Sequence, residues 1–403
     1  MLIVQKFGGT SVGDLDRIKN VATRVSATKK AGNDVVVVVS AMSGETNKLV
    51  GYAEQFSLNA ARAEMDMLLS SGERVTASLL AIALNEMGYD AVSMSGSKAG
   101  IITDNHHTKA RIQKINPQAM NSAIKEGKII VVAGFQGVSL DGNVTTLGRG
   151  GSDLSAVAVA GAIGADLCEI YTDVSGIYTT DPRIEPKAKK LDKISYDEML
   201  ELASLGAKVL QNRSVELAKK LNVNLVTRTS FSNEAGTLIT KEENIMEKPL
   251  VSGIALDRNQ ARISLVGVAD RPGIASEIFT KLANSDVNID MIVQNKGHDD
   301  TTNIDFTVPV SDLTDAKAVV DTFVNSGEIK ADSYNEKICK VSIVGVGMKS
   351  HTGVAAKAFS TMANENININ MISTSEIKVS MIIDEKYAEL AVRSLHSTYE
   401  LDK

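Results

Sequence analysis

Five consecutive valines, Val35-Val36-Val37-Val38-Val39, are bounded by Asp34 and Ser40. β-Branched residues favour extended backbone, and a strand with one solvated face would alternate apolar with polar side chains. An uninterrupted apolar run therefore fits a central strand that helices cover on both faces. The stretch predicts a parallel β-sheet within an α/β domain.

The segments around the valines continue this pattern. Residues 1 to about 240 alternate short apolar runs with longer stretches of helical period, as parallel strands and crossover helices require. Helices are predicted from Asp14 to Ala31 and from Glu73 to Met87, each closed by a glycine, and a third begins at Ser152. The other predicted strands are Leu2 to Phe7, Ala91 to Met94, Ile129 to Phe135, Leu167 to Thr172 and Asn224 to Arg228.

Three turns are expected at the carboxyl edge of this sheet, where open α/β proteins bind ligands. Each leads from a predicted strand into a helix, and they are Gly8 to Gly13, Ala41 to Asn47 and Gly148 to Ser152. In the first turn, preceded by Lys6, glycines let backbone N–H groups approach a polyanion, and the lysine adds positive charge. A P-loop is excluded because the lysine precedes the glycines. Taken alone, this motif fits an ordinary tight turn equally well.

Two further segments carry candidate functional residues. In Leu147-Gly148-Arg149-Gly150-Gly151-Ser152-Asp153, glycines and an arginine beside a helix start suit an anion, and Asp153 could hold a metal ion or orient a donor. The polar loop from Tyr171 to Arg183 could line a nucleoside pocket, although a solvated loop is an equal interpretation. Alone, Lys208 would be a surface residue, and Thr46 and Glu73 would be helix-start residues.

Composition excludes several classes of protein. The net charge of −6 and a pI near 5.6 argue against nucleic-acid binding. No apolar run approaches the ~20 residues of a membrane span, and the N-terminus lacks the order of a signal peptide. The two cysteines and five histidines have no metal-ligand spacing, so we expect no protein-ligated metal site and a cytoplasmic protein with buried thiols.

The last part of the chain contains an internal repeat. Ile263 to Val268 matches Val341 to Val346, Val287 to Ile292 matches Ile367 to Ile372, and Gly273 and Gly353 are 80 residues apart. Each copy has the order strand, glycine turn, amphipathic helix and strand, which predicts a small α+β module. The predicted domains are residues 1–240, a linker at 241–250, and two modules at 251–335 and 336–403, with 251–262 as a candidate strand of the second module.

Together these motifs resemble those of the aspartokinases of the amino acid kinase family, over essentially the whole chain. Lys6 to Val12 resembles the family's opening signature, Thr146 to Asp153 its glycine-rich signature, and Asp173 to Arg183 its nucleotide loop. The repeat resembles tandem ACT modules, with Asp270-Arg271-Pro272-Gly273 as a ligand turn. The resemblance implies the amino acid kinase fold, a mainly parallel sheet with helices on both faces, followed by two ferredoxin-like α+β ACT modules.

The resemblance also implies an activity, the transfer of the ATP γ-phosphoryl group to the side-chain carboxylate of L-aspartate with Mg²⁺. This is the first step of lysine, threonine and methionine biosynthesis, and it needs positioning and charge neutralisation more than a general base. By the same resemblance, the catalytic residues are Lys6, Asp153 and Lys208, and the aspartate-binding residues are Thr46, Glu73, Arg149 and Ser152. The residues that would contact ATP are Lys6, Phe7, Gly8, Gly9, Thr172, Asp173, Tyr178, Arg183, Lys208 and Val209.

The ACT resemblance implies feedback regulation by an amino acid, lysine in preference to threonine. The first copy has Asp290 where the second has Asn370, which favours unequal ligand sites. The modules also imply a homodimer or higher oligomer, and Met246 is a candidate internal start for a separate regulatory chain. The implied effector contacts are Asp270, Ala275, Asp290, Gln294, Ala355, Ala356, Asn368, Ile369, Ser375 and Glu376.

Two other functions remain open at this point. A carboxylate kinase of the same fold could act on glutamate or N-acetylglutamate, although two trailing ACT modules fit an aspartokinase better. A catalytically silent amino-acid sensor could retain the fold, but the presence of Lys6, Arg149, Asp153 and Lys208 together argues against it. The modules could also serve only as a dimerisation surface.

Overall fold

The computed structural model describes residues 1–205, 209–245, 250–297 and 301–403. The chain divides into two compact units. The first comprises Met1–Ile177, Lys190–Ser204 and Lys208–Glu247, and the second comprises Tyr178–Lys189, Leu205–Ala207 and Lys248–Lys403. The predicted strand–helix alternation therefore lies mainly in the first unit, and the internal repeat lies in the second.

The first unit is a mixed α/β structure. Its strands are β1 (Leu2–Phe7), β2 (Asp34–Val39), β3 (Ala91–Met94), β4 (Ile101–Thr103), β5 (Ile112–Ile115), β6 (Ile129–Ala133), β7 (Gln136–Ser139), β8 (Val144–Thr146), β9 (Leu167–Thr172), β10 (Lys193–Ser195), β11 (Leu225–Thr229) and β12 (Thr237–Thr240). Its helices are α1 (Leu15–Lys30), α2 (Glu45–Glu54), α3 (Arg62–Leu69), α4 (Ser71–Glu86), α5 (Gln118–Lys125), α6 (Gly151–Ile163), α7 (Tyr196–Ser204) and α8 (Asn212–Leu221).

Eight of these strands form the main sheet, in the order β10-β12-β11-β9-β1-β2-β6-β3. Every neighbouring pair is parallel except β11 and β12. The mainly parallel sheet predicted from the sequence is therefore confirmed.

The five valines lie in β2, between β1 and β6, and all five are fully buried. Val35, Val37 and Val39 face a core completed by α1 and α4. Successive side chains of a strand point to opposite faces, so Val36 and Val38 face the other side, where α6 packs against β1, β2 and β9. Helices on both faces are the reason that β2 carries no polar side chain after its first residue, Asp34.

Caps set the boundaries of the two helices predicted from the sequence. The Asp14 carboxylate accepts a hydrogen bond from Arg17 N at 2.8 Å, which satisfies one of the free N–H groups at the start of α1. Gly32 after α1 and Gly88 after α4 have φ of +84° and +87°, the left-handed conformation in which glycine ends a helix.

The strand before the glycine-rich turn belongs to a second sheet. β8 pairs with β7 in a four-stranded sheet of order β5-β4-β7-β8. The sequence predicts that the turn Gly148 to Ser152 follows a strand of the main sheet, and this prediction is wrong. β8 has three residues, too few for a period of two to be recognised.

Helices α3 and α4 form a nearly continuous element because Ser70, between them, is itself helical, with φ −62° and ψ −14°. By length and composition, Arg62–Glu86 could cross a membrane, with a mean hydropathy of 1.3 in its most apolar window. Half of that window is buried inside the protein, where Leu80 and Leu84 pack in the core beneath β2. The apolar composition is thus accounted for by a core helix.

The second unit contains a six-stranded antiparallel sheet, in the order β14-β15-β13-β16-β18-β17. These strands are β13 (Gly253–Ala269), β14 (Ile292–Lys296), β15 (Thr301–Val308), β16 (Ala331–Val344), β17 (Ile369–Thr374) and β18 (Lys378–Asp384). The helices are α9 (Ile274–Asn284), α10 (Leu313–Asn325), α11 (Val354–Asn364) and α12 (Ala388–Thr398).

The repeat predicted from the sequence is present as two similar modules. Helices α9 and α11 begin after Gly273 and Gly353, whose φ values are +96° and +92°. Helices α9 and α10 pack over one hydrophobic core and α11 and α12 over another. The α+β modules are therefore confirmed.

Strands β13 and β16 are shared by the two modules. They have 17 and 14 residues and pair from Gly253–Val344 to Val266–Ala331. The first residues of β13 pair with the part of β16 that is bound to β18, whereas the later residues also pair with β15. Each module therefore takes part of its sheet from the same two strands.

The segment Tyr178–Lys189 packs within the second unit. Ile254 N donates to Thr179 O at 2.7 Å, and Thr179 Oγ1 lies 2.9 Å from His396 Nε2. Ile184 packs against the core formed by α11 and α12. The His396 ring is buried, and burial lowers its pKa. Part of the predicted nucleotide loop is therefore built into the second of the two α+β modules.

Candidate active site

The first unit contains a cavity of about 500 Å³ where several predicted site residues meet. It lies between the turns after β1 and β2, the start of α4 and the glycine-rich turn before α6. Its lining residues are Lys6, Gly8, Gly9, Thr10, Ser40, Ala41, Met42, Ser43, Gly44, Thr46, Glu73, Phe135, Gly148, Arg149, Gly150, Gly151, Ser152, Asp153, Thr172 and Asp173. The three turns predicted from the sequence all contribute to it.

An ion pair lies at the base of this cavity. Lys6 Nζ, near the end of β1, is 2.5 Å from the carboxylate of Asp153 in the first turn of α6. The two side chains are 11% and 13% exposed, so the pair is largely withdrawn from water yet opens to the cavity. Asp153 therefore fixes the lysine ammonium group in position beside the cavity.

The glycines after β1 leave room that a side chain would fill. Gly8 N donates to Tyr171 O at 3.3 Å, and Gly8 O accepts hydrogen bonds from Ser11 N and Val12 N. A Cβ at Gly9 would lie 3.2 Å from Ala41 O. The backbone of this turn is thus held close to the neighbouring strand ends, as a site for a phosphate group requires.

Glu73 places a half-satisfied carboxyl group in the cavity wall. Glu73 is 3% exposed, its Oε1 accepts a hydrogen bond from Ala41 N at 3.1 Å, and its Oε2 is buried without a hydrogen-bond partner among the described residues. Burial raises the pKa of Glu73 to about 7, against an opposing effect of its backbone hydrogen bonds. A buried acceptor without a donor is costly, so Oε2 is available for a cationic or N–H group of a ligand.

The cost of keeping Glu73 ionised predicts a pH-dependent stability. The native pKa lies above the unfolded value, so the native state binds the proton more tightly and loses stability as pH rises from about 4.5 through 7. We expect Glu73→Gln to match the wild type in free energy of unfolding near pH 4.5 and to exceed it by about 2–3 kcal/mol at pH 8. Urea unfolding at both pH values measures the difference. Glu86→Gln, at the exposed end of the same helix, is the control, and equal pH profiles of the two variants would refute the expectation.

The glycine-rich turn carries Arg149, which lines the cavity, and side chains of Gln211 and Arg213 bind its backbone. Gly148 and Gly150 have φ of +77° and +71°, and a Cβ at Gly150 would lie 2.6 Å from the side chain of Gln211. Gln211 Nε2 donates to Arg149 O, and Arg213 Nη1 donates to Leu147 O at 2.9 Å. Arg149 itself is exposed, and its guanidinium makes no hydrogen bond or ion pair within the described residues. It is therefore free to bind an anion.

The residues predicted to contact a nucleotide do not all reach this cavity. Thr172 and Asp173 line it, and Thr172 Oγ1 donates to the Asp173 carboxylate at 3.0 Å. Phe7 is fully buried and its ring stacks on Tyr171, so its side chain is not available to a ligand. Lys208 lies outside the described residues, as does Met246. Like Phe7, the predicted residues Tyr178, Arg183 and Val209 do not line the cavity.

Arg183 has a partner of its own. Its guanidinium donates to both carboxylate oxygens of Asp181 in a bidentate pair, with a shortest distance of 2.7 Å, and this lowers the pKa of Asp181. The Arg183 side chain is 90% exposed. A phosphate group would have to share this arginine with Asp181.

Among the predicted effector residues of the first module, Asp290 has a carboxylate that already pairs with a lysine, Lys340. Asp290, just before β14, accepts from Nζ of Lys340, a fully buried side chain in the middle of β16. Asp290 and Gln294 are exposed, as is Asp270 in the turn before α9, and Ala275 in that helix is half-buried. An ammonium group of a ligand at Asp290 would therefore compete with Lys340.

The second module has an amide at the matching position. Asn370 Nδ2 donates to Asp384 Oδ1 at 3.3 Å, so the two copies differ in both charge and partner. Ser375 N donates to Lys378 O in the turn between β17 and β18. The remaining predicted residues lie at the start of α11 and beside β17, and they are Ala355, Ala356, Asn368, Ile369 and Glu376.

Sequence reasoning missed the residues that hold the site together. Asp66, Gln211 and Arg213 make the contacts that fix the glycine-rich turn or the strand before it. Their neighbours in the sequence form ordinary amphipathic helices, which carry no signal of this role. The chain in its described ranges also contains no group of three or more His, Cys, Asp or Glu that could hold a metal ion.

The comparisons with known proteins agree with this geometry. Residues 1–227 match the model of the amino acid kinase family, and residues 262–325 and 341–399 each match a model of the ACT domain. The chain is 58% identical to an aspartokinase of Helicobacter pylori, and the alignment covers 100% of both proteins.

Two solved structures are similar over 99% of both chains, and both are of E. coli aspartokinase III. The complex with aspartate and ADP has a TM-score of 0.80 and 26% sequence identity. The complex with lysine and aspartate has a TM-score of 0.79 and 27% identity.

The chain therefore belongs to the amino acid kinase family, and two ACT domains follow its kinase domain. Within that family it is one of the aspartokinases, as the order of its sequence motifs predicts.

Proposed function

We propose that this protein transfers the γ-phosphoryl group of ATP to the side-chain carboxylate of L-aspartate, giving 4-phospho-L-aspartate and ADP. A carboxylate oxygen of aspartate forms the new bond to phosphorus, and the bond from phosphorus to the bridging oxygen of ADP breaks. The E. coli relative of the same fold binds aspartate and ADP. The cavity described above offers groups of the right charge for each part of this reaction.

The amino acid is bound by opposite charges on two walls of the cavity. Glu73 Oε2 accepts from the α-ammonium group, which also favours the ionised form of this buried carboxyl. The Arg149 guanidinium can bind a carboxylate through two parallel hydrogen bonds. Thr46 and Ser152 line the same cavity and provide hydroxyl groups. Together they hold aspartate with its side chain directed toward Lys6.

The phosphoryl group is bound at the turn after β1. Lys6, oriented by Asp153, neutralises the charge on the transferring group, and the backbone N–H group of Gly9 is its proposed hydrogen-bond donor. Gly8, which the sequence resemblance also implies as a donor, lines the cavity, but its N–H group already donates to Tyr171 O. The nucleophile is already ionised, so no base has to remove a proton. The proposed ATP contacts also include Thr172, Asp173, Tyr178, Arg183, Lys208 and Val209.

A Mg²⁺ ion fits this site through the nucleotide rather than through a protein cage. Mg²⁺ is usually held by one or two carboxylates together with substrate phosphates. Asp173 lines the cavity, and its carboxylate has no ion pair among the described residues, whereas Asp153 is bound by Lys6. Asp173 is therefore proposed as a protein ligand, which departs from the sequence-based expectation of no protein-ligated metal site, and the bound ion would supply charge neutralisation at the phosphates.

The unpaired Glu73 Oε2 is the observation that carries the choice of substrate. A buried acceptor in the same cavity as Arg149 calls for a ligand with both an ammonium and a carboxylate group. N-Acetylated substrates lack the ammonium group and would leave this oxygen unsatisfied, at a cost typical of a lost hydrogen bond to a buried charge.

A coupled assay of ADP release with four substrates tests the proposal, namely L-aspartate, N-acetyl-L-aspartate, L-glutamate and N-acetyl-L-glutamate. We expect turnover with L-aspartate alone, and trapping of the acyl phosphate with hydroxylamine to give aspartyl hydroxamate. Turnover of N-acetyl-L-glutamate in preference to L-aspartate would refute the substrate assignment. Absence of turnover with all four would favour a silent amino-acid sensor.

We also propose that the ACT domains bind a regulatory amino acid, lysine in preference to threonine. The E. coli relative binds lysine together with aspartate. In this chain the ammonium group of a ligand would compete with Lys340 for the Asp290 carboxylate, whereas Asn370 carries no charge, which supports unequal sites in the two modules. Isothermal titration with each amino acid tests this proposal, and the absence of heat with both would refute it.

Several consequences of this assignment are proposals of the same kind. The activity would begin the synthesis of lysine, threonine and methionine in the cytoplasm. The ACT domains would support a homodimer or larger oligomer, with the option of a separate regulatory chain starting at Met246. The proposed boundaries are 1–240 for the kinase domain, 241–250 for the linker, and 251–335 and 336–403 for the ACT domains.

A further inference from the structure

Asp66 is a buried carboxylate that the proposed mechanism does not use. It lies in α3 with no exposed surface, and four hydrogen bonds reach its two oxygens. Thr146 Oγ1 donates to Oδ1 at 2.5 Å and His107 Nδ1 to Oδ2 at 2.6 Å, while Thr108 N lies 3.0 and 3.1 Å from the two oxygens. A buried charge persists only with such partners, so this carboxylate is a junction between α3, the turn around Thr108 and β8.

The partners of Asp66 lie directly behind the glycine-rich turn. Thr146 is the last residue of β8, two positions before Gly148. Thr108 has a φ of +67°, a conformation that is strained for a β-branched residue, and its carbonyl oxygen would lie 3.2 Å from a Cβ at Gly148. The hydrogen bonds from Thr108 N to Asp66 therefore hold in place a strained turn against which the glycine-rich turn packs.

Asp66 is also tied to the opposite wall of the cavity. Asp66 and Glu73 are seven residues apart on the nearly continuous α3–α4 element, a spacing of two turns that places them on one helical face. Gln136 Nε2 donates to Ser70 O at 2.8 Å, which fixes the helix between them to β7. The helix that carries Glu73 is thus joined through Asp66 to the strand that leads to Arg149.

We propose that Asp66, with Thr146 and His107, is a positioning group that sets the separation between Glu73 and Arg149, and hence the fit to L-aspartate. The inference rests on the proposed function. Asp66 touches no substrate and acts through the two walls that it joins, so its loss should weaken aspartate binding more than it slows phosphoryl transfer.

A pair of variants at Thr146 isolates the hydrogen bond. Thr146→Ser keeps the hydroxyl that donates to Asp66, whereas Thr146→Val keeps the shape and removes it. We expect the KM for aspartate to rise several-fold in Thr146→Val and to stay near the wild-type value in Thr146→Ser, while kcat and the KM for ATP change less than twofold. Thr146→Val is nearly isosteric and Thr146→Ser removes one methyl group, and circular dichroism tests whether each variant is folded.

Asp66→Asn tests the charge itself. It should raise the KM for aspartate about tenfold or more, because the amide keeps one acceptor oxygen but removes the negative charge and places an NH2 group where one carboxylate oxygen accepts. Asp104→Asn is the matched control, since the Asp104 carboxylate accepts from His106 N and Arg111 N in the same turn, and in the described parts of the chain no hydrogen bond or ion pair joins it to β8. It should leave both KM values unchanged.

The outcomes separate this inference from the proposed function. If the wild type does not turn over L-aspartate, the proposed function fails. If the wild type is active and Thr146→Val and folded Asp66→Asn bind aspartate normally, the positioning role is refuted. Equal increases in the KM for aspartate and for ATP, or a loss confined to kcat, would also refute it, because a general structural defect produces no selective effect on aspartate.

Discussion

Lys6→Ala is expected to lower kcat about 10³-fold, since removal of one group that stabilises a transferring oxyanion or phosphoryl typically has an effect of this size. The lysine lies at the base of the cavity with its Nζ 2.5 Å from Asp153, which fixes it where negative charge accumulates in the transition state. The KM for aspartate should change little, because Glu73 and Arg149 bind the amino acid. Steady-state rates of ADP release measure both quantities.

The control for this variant removes a lysine from another ion pair of the same unit. Lys29 Nζ is 2.9 Å from Asp34 Oδ1. Asp34 is the first residue of β2, whereas the cavity is lined by the turn after its last residue, so Lys29→Ala should leave kcat unchanged. Lys6→Ala leaves Asp153 without its partner, and a thermal melt distinguishes a catalytic effect from unfolding. A folded Lys6→Ala enzyme with near-normal turnover would remove Lys6 from the mechanism.

Arg149→Ala is expected to raise the KM for aspartate about 10- to 100-fold, the range for a charge-assisted bidentate contact of ~1.5–3 kcal/mol. The guanidinium is exposed and has no partner within the described parts of the chain, so its loss should not destabilise the fold. Arg149→Lys keeps the charge but loses the planar pair of donors, and an intermediate KM is expected. The KM for ATP should stay constant in both variants.

Arg258→Ala serves as the control for loss of a surface arginine. Arg258 pairs with Glu389 on the surface of the second unit, and its removal should leave both KM values at the wild-type level. Unchanged saturation by aspartate in Arg149→Ala would contradict the role of this arginine. The contrast between the two variants also controls for the change in net charge.

The sequence could predict those parts of the fold that local patterns determine. The buried valines of β2, the glycine that ends α1 and the spacing of the repeat each reflect a constraint within a few residues. The predicted bounds of β1 and β9 coincide with those observed. The carboxyl ends of parallel strands lie at the same edge of a sheet, so the turns that follow them are close together. For this reason the sequence alone predicts that Lys6, Gly8 and Thr46 are neighbours, and all three line one cavity.

The parts that could not be predicted depend on contacts between distant residues. Asp66 is 41 residues from His107 and 80 from Thr146, and only the tertiary structure brings their side chains together. β8 belongs to a sheet of short strands whose pairing is set by long-range contacts. The bond between Lys340 and Asp290 is also of this kind, although a lysine amid the apolar residues of β16 is itself a signal of a buried charge.

The two long strands, β13 and β16, limit how this protein can be rearranged. Each passes through both ACT domains, so a cut between the domains would divide two strands at mid-length and expose their unpaired N–H and C=O groups. Recombination between relatives, or grafting of one ligand site onto another enzyme, should therefore succeed only when residues 253–403 move as a single cassette. The sequence repeat has two copies, but the two copies form one structural unit that has to be transferred whole.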